Sequence, residues 1–397
     1  MELTLKVLSR IADVDEAAWN GLLPPHAPPL VKWRWIHALE DSKSAVEKTG
    51  WEPHHLTLWQ GETLVAASPA YRKYHSMGEY IYDFNWAGAA DQLGVAYYPK
   101  LWVGVPLSPA TAPRYLVKPG EDAGALREVL FEASLALAKE GGCSGTHVVY
   151  VPDEDVAALD SRALAHRLTL QFHWKNPGYA SYEDFLSRFS SKRRNQLKRE
   201  RGAAAQQGIH VETVTGAALT PEHARLAFRF YEATVRRKGW GGLQLNRGFF
   251  DRVFEWMPEE VELVTATHAG RVIAGAFNLV TAERLYGRYW GCFEDVPFLH
   301  FNVCFYHSID TCIRAGRKVF EPGAGGEHKI ARGFEPSAVH SLHKLFDPRL
   351  HQAIAGFVRR ESRVLGQEVE GATETTGMKP WTGPATGPAL ALGRDGG

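Results

Sequence analysis

The feature that most restricts this chain is the way its hydrophobic period switches between residues 220 and 334. Ala224, Phe228, Tyr231 and Val235 fall on one face of a helix at about 220–238, and a second helix follows at 247–257. The period then drops to two over Val261–Ala266 and Val272–Val280, separated by the turn His268-Ala269-Gly270-Arg271, which predicts a hairpin. Arg284–Tyr289 predicts another strand, residues 300–315 a helix, and Lys318–Glu321 a strand that runs into glycines. Two helices, a hairpin, another strand, a helix and a final strand leading to a glycine-rich turn make this half an α/β (α+β) unit.

The first half has a similar rhythm. Leu56–Trp59 and Thr63–Ala67 flank the turn Gln60-Gly61, and a helical period at 124–140 is closed by Gly141-Gly142. A strand at Thr146–Val151 and an Asp-Glu-Asp helix start follow. With 397 residues the chain exceeds one usual core, so two similar modules are expected, residues 1–174 and 175–370, joined near Trp174–Ala180. From 371 to 397 glycine, proline and alanine dominate and a disordered tail is expected.

Composition excludes several functions. Lysine plus arginine and aspartate plus glutamate each number 45, so no net field draws the molecule to nucleic acid or anionic lipid, and any such attraction must be local. The start Met1–Val7 lacks the form of a signal peptide and no apolar run approaches a bilayer's thickness, which predicts a cytoplasmic protein without membrane insertion. Four scattered cysteines make no disulfide framework. His340-x-x-His343 is a weak metal signal, and no bound metal is expected.

Three segments could carry chemistry. In Arg188–Arg201 the cations, Lys192, Arg193 and Arg194 among them, are opposed only by Glu200. On a helix this is either a solvated face or a grip for phosphates, since guanidinium forks match phosphate geometry. In Glu321–Phe334, glycines precede Glu327-His328-Lys329 and Arg332, which suits backbone amides that approach a carbonyl closely. Glu327 or His328 could take a proton from an amine, while Lys329 and Arg332 hold an anionic donor; a tight turn of self-paired charges is the alternative. In His75–Trp86, read as a strand, Glu79 and Asp83 share one face beside His75 and could recognise an amine, or form a buried network. Arg236-Arg237-Lys238-Gly239-Trp240-Gly241 matches a phosphate-loop pattern but follows a helix, so it counts as accidental.

Several ordered strings carry a family resemblance: Gly50-Trp51-Glu52-Pro53-His54-His55-Leu56, His75–Trp86, Tyr97-Tyr98-Pro99-Lys100-Leu101, Gln171–Asn176, Gly287-Arg288-Tyr289-Trp290-Gly291-Cys292 and Gly326–Phe334. Over roughly residues 15–365 the chain resembles the GNAT-superfamily proteins of Fem-like type named for peptidoglycan biosynthesis or recognition. The resemblance implies a tandem GNAT-like fold and N-acyl or aminoacyl transfer to a small-molecule or peptide amine, with acyl-CoA or aminoacyl-tRNA as donor and no tightly bound cofactor. It implies a cleft built chiefly by the second module, with Arg288 and Trp290 on the acceptor side. A non-catalytic module that recognises a cell-wall precursor is the alternative. The family's usual glutamate and glutamine are replaced here by Asn302 and Gly325.

Overall fold

A computed structural model describes residues 2–159, 164–239, 242–323, 325–375 and 378–379, with backbone alone at Glu327 and 366–375. Trp240 and Gly241, which end the discounted glycine match, lie outside it. The strands in chain order are β1 (Leu3–Leu8), β2 (Trp51–Pro53), β3 (His55–Gln60), β4 (Thr63–Ser68), β5 (Ala70–Lys73), β6 (Lys100–Val103), β7 (Leu116–Val117) and β8 (Gly145–Val151). They continue with β9 (Ala165–Lys175), β10 (Ile209–Thr215), β11 (Val261–His268), β12 (Arg271–Val280), β13 (Arg284–Cys292), β14 (Val319–Glu321) and β15 (Glu335–Leu345).

One sheet runs β1-β3-β4-β7; the other has eleven strands in the order β10-β11-β12-β13-β14-β9-β15-β8-β6-β5-β2. Each half contributes one parallel pair reached through a helix. In the first it is β6 with β8, across the helix Ala123–Glu140; in the second it is β13 with β14, across the helical stretch Leu299–Arg314. This internal echo is the tandem form that the sequence predicted.

The sheet crosses the expected joint without a break. β9, from the first half, pairs with β14, while β15, from the second half, pairs with β8 of the first. β9 and β15 join each other over nine residue pairs, from Glu335↔His173 to His343↔Ala165. The halves therefore exchange their last strands. One apolar core also serves both, for Trp19, Trp35 and Trp51 share a cluster with Phe249, Phe250 and Phe277, and Trp35 meets Phe249 edge to face at 5.0 Å.

Local chemistry accounts for the elements around the site. At the β11–β12 turn Ala269 and Gly270 both take left-handed φ, the backbone of a tight hairpin. The helix Pro221–Lys238 has Thr220 at its cap and lies so close to β13 that a Cβ on Gly291 would fall 2.2 Å from the Phe230 carbonyl oxygen. The basic run lies on the helix Ser191–Gln206 except for Arg188, which ends the preceding helix Tyr182–Ser187; the Ser190 side chain accepts from the Arg193 amide and starts the second helix anew.

The last helix runs Pro348–Thr375, so helical backbone persists five residues into the segment read as tail, and Met378 bridges to Phe189. No helix among the described residues is long and apolar enough to cross a membrane.

Candidate active site

β13 and β14 stay together for three residue pairs only, Arg284↔Val319 to Tyr286↔Glu321. Beyond them β13 continues to Cys292, while the chain after Glu321 turns through Pro322 and Gly323 into the 3-10 turn Glu327–Arg332. The opening between these paths is the candidate site. Gly326 has φ 99° and an added Cβ would sit 2.7 Å from the His328 ring, so glycine is required for the turn to form against that imidazole.

Lys329 closes the turn, its Nζ donating to the Gly323 carbonyl at 2.7 Å. The amine is buried, and burial lowers its pKa to about 8. His328 is exposed at the edge of the opening, its ring 6.0 Å from His300, 5.7 Å from Phe301 and 5.6 Å from Phe305. Partial burial, and then the charges of Lys329, Arg332 and Lys238, push its pKa down, so the imidazole is neutral at pH 7 and able to accept a proton. His300 is pushed down to about 4, chiefly by burial, and its ring lies tilted against Trp290 at 4.7 Å. Trp290, His300 and His328 thus form one continuous row. The side chain of Glu327, the other expected base, lies outside the described residues.

Arg332 does something other than expected. Its Nη2 donates to Glu200 at 2.7 Å, Nε to the Tyr306 hydroxyl at 3.0 Å and Nη1 to the His328 carbonyl at 2.8 Å, and its guanidinium lies 3.4 Å from the Phe301 ring centre. It is a buried structural cation rather than an open phosphate hook. Burial raises the Glu200 pKa, but hydrogen bonds from Tyr306 and Gln196 and the Arg332 charge outweigh it, so the carboxyl titrates below its ordinary value. Glu200 also receives Gln196 Nε2 at 2.9 Å, and Gln196 receives Arg193 at 3.0 Å, which gives a string at i, i+3 and i+7 along the basic helix. Of the cations expected at the donor, Arg193 is tied into this string, Arg194 reaches Ser191 at 3.4 Å, and Lys192 is exposed beside them.

Asn302 opens a π-helical turn, Asn302–Tyr306, and its amide donates to the Glu200 carbonyl at 2.9 Å. It fastens the two helices together rather than facing the opening. Sequence reasoning missed Glu200, Tyr306 and His300 as site components, although a lone acid in a basic run was the signal for Glu200.

The segment around Glu79 and Asp83 is corrected. It is not a strand: Tyr80 and Tyr82 have φ 60° and 52°, and a helix begins at Phe84. The facing holds in part, with Glu79, Ile81 and Asp83 buried and Tyr82 and Phe84 exposed, while Tyr80 packs against the core. Both carboxylates are closed off from a ligand by Lys100, whose Nζ meets Glu79 at 2.8 Å and also reaches Asp83. His75 is spent on Lys73, at 2.6 Å, and on the Thr49 carbonyl. Glu79 and Asp83 form a buried network with Lys100, and the half-buried His75 is tied separately to Lys73, so none of the three is free as an acceptor site. Arg288 is the extra residue of a bulge in β13 between Gly287 and Tyr289, and its guanidinium donates to the Leu107 carbonyl of the first half. Among the described residues no group of histidine, cysteine and carboxylate side chains could hold a metal.

A duplicated mixed sheet with exchanged last strands, opened beside a glycine-rich turn, has the tandem GNAT-like fold that the sequence predicts. The chain matches the FemAB-like family, described as peptidoglycan biosynthesis/recognition, over residues 10–380, and it belongs to that family. No curated protein matches the sequence. The crystal structure of FemX is similar at TM-score 0.53 and 10% identity, over 89% of this chain and 100% of that one. The C-terminal domain of a putative lysylphosphatidylglycerol synthetase from Agrobacterium fabrum is similar at TM-score 0.52 and 10% identity, over 82% of this chain and 90% of that one. At such identities the likeness concerns the fold.

Proposed function

We propose that this protein is an N-acyl or aminoacyl transferase of Fem-like type, acting in the cytoplasm on an amine acceptor of cell-wall precursor kind. The observation that carries the reading is a neutral, accessible His328 next to the Lys329 ammonium at the splayed end of β13 and β14. Lys192, Arg193 and Arg194 would hold the phosphates of acyl-CoA or aminoacyl-tRNA. The acceptor's neutral amine attacks the donor carbonyl carbon, and His328 takes the proton that the nitrogen sheds. Of the three protons on Lys329 Nζ one serves Gly323, which leaves two to stabilise the oxyanion. Breaking the C–S or C–O bond then releases a thiolate or ribose alkoxide, which receives the proton back from His328.

The test is binding of purified protein to acetyl-CoA and, in parallel, to a mixed aminoacyl-tRNA pool, followed by transfer to an amine. His328→Gln is expected to lower turnover more than donor affinity, and the Arg193→Ala/Arg194→Ala pair to do the reverse. If neither variant changes either quantity, the assignment fails. One observation favours the recognition reading instead: Arg332 is satisfied by Glu200 and Lys329 by Gly323, so two cations expected on the donor are engaged internally. Absence of binding to both donors would decide for it.

A further inference from the structure

Among the described residues Arg288 is a charge without a counter-charge. The bulge sets it outside the β12–β13 ladder, where Phe277 faces Tyr289 and Asn278 faces Gly287. Its side chain crosses from the second half to the first, where Nη2 donates to the Leu107 carbonyl and approaches the Tyr289 hydroxyl at 3.3 Å. Its Nε is buried with no partner, and among the described residues no carboxylate pairs with the guanidinium within 4.0 Å. A half-buried guanidinium so placed is costly unless an anion arrives to complete it.

The walls around it are held in conformations that side chains avoid. Tyr80, Tyr82, Leu107 and Tyr150 all have left-handed φ, at 60°, 52°, 58° and 55°. They come from three separate segments yet meet here: Leu107 N donates to the Gly78 carbonyl at 3.3 Å, the Tyr150 hydroxyl donates to the Tyr80 carbonyl at 2.9 Å, and the Arg288 charge is felt at the hydroxyls of Tyr80 and Tyr150. The strap 78–83 is pinned from below at Glu79 and Asp83 by Lys100, and at the Ile81 carbonyl by Arg167, itself paired with Glu361 at 2.7 Å. Tyr80 packs against the core, whereas Tyr82 is turned outward and is 62% exposed. Strain that persists because its surroundings enforce it marks a place with a use.

We infer that Arg288 and the strap Gly78–Tyr82 form an anion subsite for the second substrate, an acceptor that carries a carboxylate or phosphate as well as its amine, with Tyr82 as the outer wall. The word acceptor rests on the transferase reading; the anion subsite does not. The first half thereby contributes a wall of the second half's site.

The probes are lysyl-alanine, its C-terminal amide, and inorganic pyrophosphate, each titrated calorimetrically into the full chain. Lysyl-alanine or pyrophosphate is expected to saturate the wild type, and Arg288→Gln to weaken that probe at least tenfold, with Arg288→Lys in between because it keeps the charge and loses the fork. Preference for lysyl-alanine over its amide identifies a carboxylate; pyrophosphate alone identifies a phosphate. If Arg288→Gln does not fold, Tyr82→Ala, at an exposed side chain, is expected to weaken the same probe. Binding of no anionic probe, or equal binding by wild type and variants, overturns the subsite. Acetyl-CoA and aminoacyl-tRNA binding are measured on the same proteins. Failure of those donors with retained Arg288-dependent probe binding refutes the transferase reading and leaves the subsite standing.

Discussion

Replacing Lys329 by methionine tests whether the protein keeps an unfavourable charge for chemistry. In the folded chain burial lowers the Lys329 pKa from 10.5 to about 8, which at 1.36 kcal/mol per pH unit corresponds to about 3 kcal/mol of destabilisation. The sign follows from proton binding. Below pH 8 the amine is charged in both states and the whole penalty is present. Between 8 and 10.5 the unfolded chain holds a proton that the folded one has released, so wild-type stability rises with pH; above 10.5 the penalty is gone. Lys329→Met never carries the charge but loses the hydrogen bond to Gly323, which is worth about 1 kcal/mol. At pH 7 the variant is therefore expected to be more stable by about 2 kcal/mol, and above pH 10.5 less stable by about 1 kcal/mol. Urea unfolding of both proteins in matched buffers at the two pH values measures the gap, since other titrating groups cancel. A gap that does not change with pH would refute the buried-amine argument. Transfer activity should be lost in the same variant, a trade of function for stability.

Other perturbations separate structure from chemistry. Glu200→Gln leaves the Arg332 guanidinium buried without its counter-charge and should cost about 3 kcal/mol at pH 7 in denaturant unfolding. Because the folded pKa of Glu200 is lowered, that loss should shrink as pH falls through the carboxylate range, where the wild type loses the contribution too. Replacing exposed Lys198 and Arg199 by glutamine should leave the thermal midpoint unchanged and reduce the salt dependence of donor binding if the donor is a tRNA. Tyr82→Gly removes a left-handed side chain, worth about 1 kcal/mol of strain. It should keep or raise the thermal midpoint in calorimetry while weakening the anionic probe.

The elements of the second half were readable because each is local: a period of 3.6 over Pro221–Lys238, a period of two on either side of Ala269-Gly270, and a glycine stop after β14. What was unreadable depends on residues far apart in sequence. Alternation in 79–84 was seen and its facing was right except at Tyr80, which packs against the core, but the strand was not, because Lys100 and Arg167 draw the odd positions inward from 17 to 86 residues away and force Tyr80 and Tyr82 into left-handed backbone. The fate of Arg332 turned on a partner 132 residues earlier. No periodicity reveals that β9 and β15 change places, since either strand would satisfy its own half equally well by pattern.

The exchange of strands also bears on why a duplicated chain would use its halves differently. In the second half the chain past the parallel pair β13–β14 parts around an opening. In the first half the corresponding space, past β6 and β8, is filled: Arg114 lies almost wholly buried there, with Nε donating to the Val149 carbonyl at 2.6 Å, Nη2 to the Ala110 carbonyl at 2.9 Å, and its own amide to Asp155 at 3.1 Å. Those bonds draw segment 104–115 across the gap, and Leu107, within the same segment, is what Arg288 reaches from the other side. Closing the first cleft and walling the second are thus one arrangement. On that logic Arg114→Ala should act at a distance, loosening segment 104–115 and weakening the Arg288-dependent probe while donor binding stays as it was. A donor defect of equal size would mean that the two halves share a donor site instead.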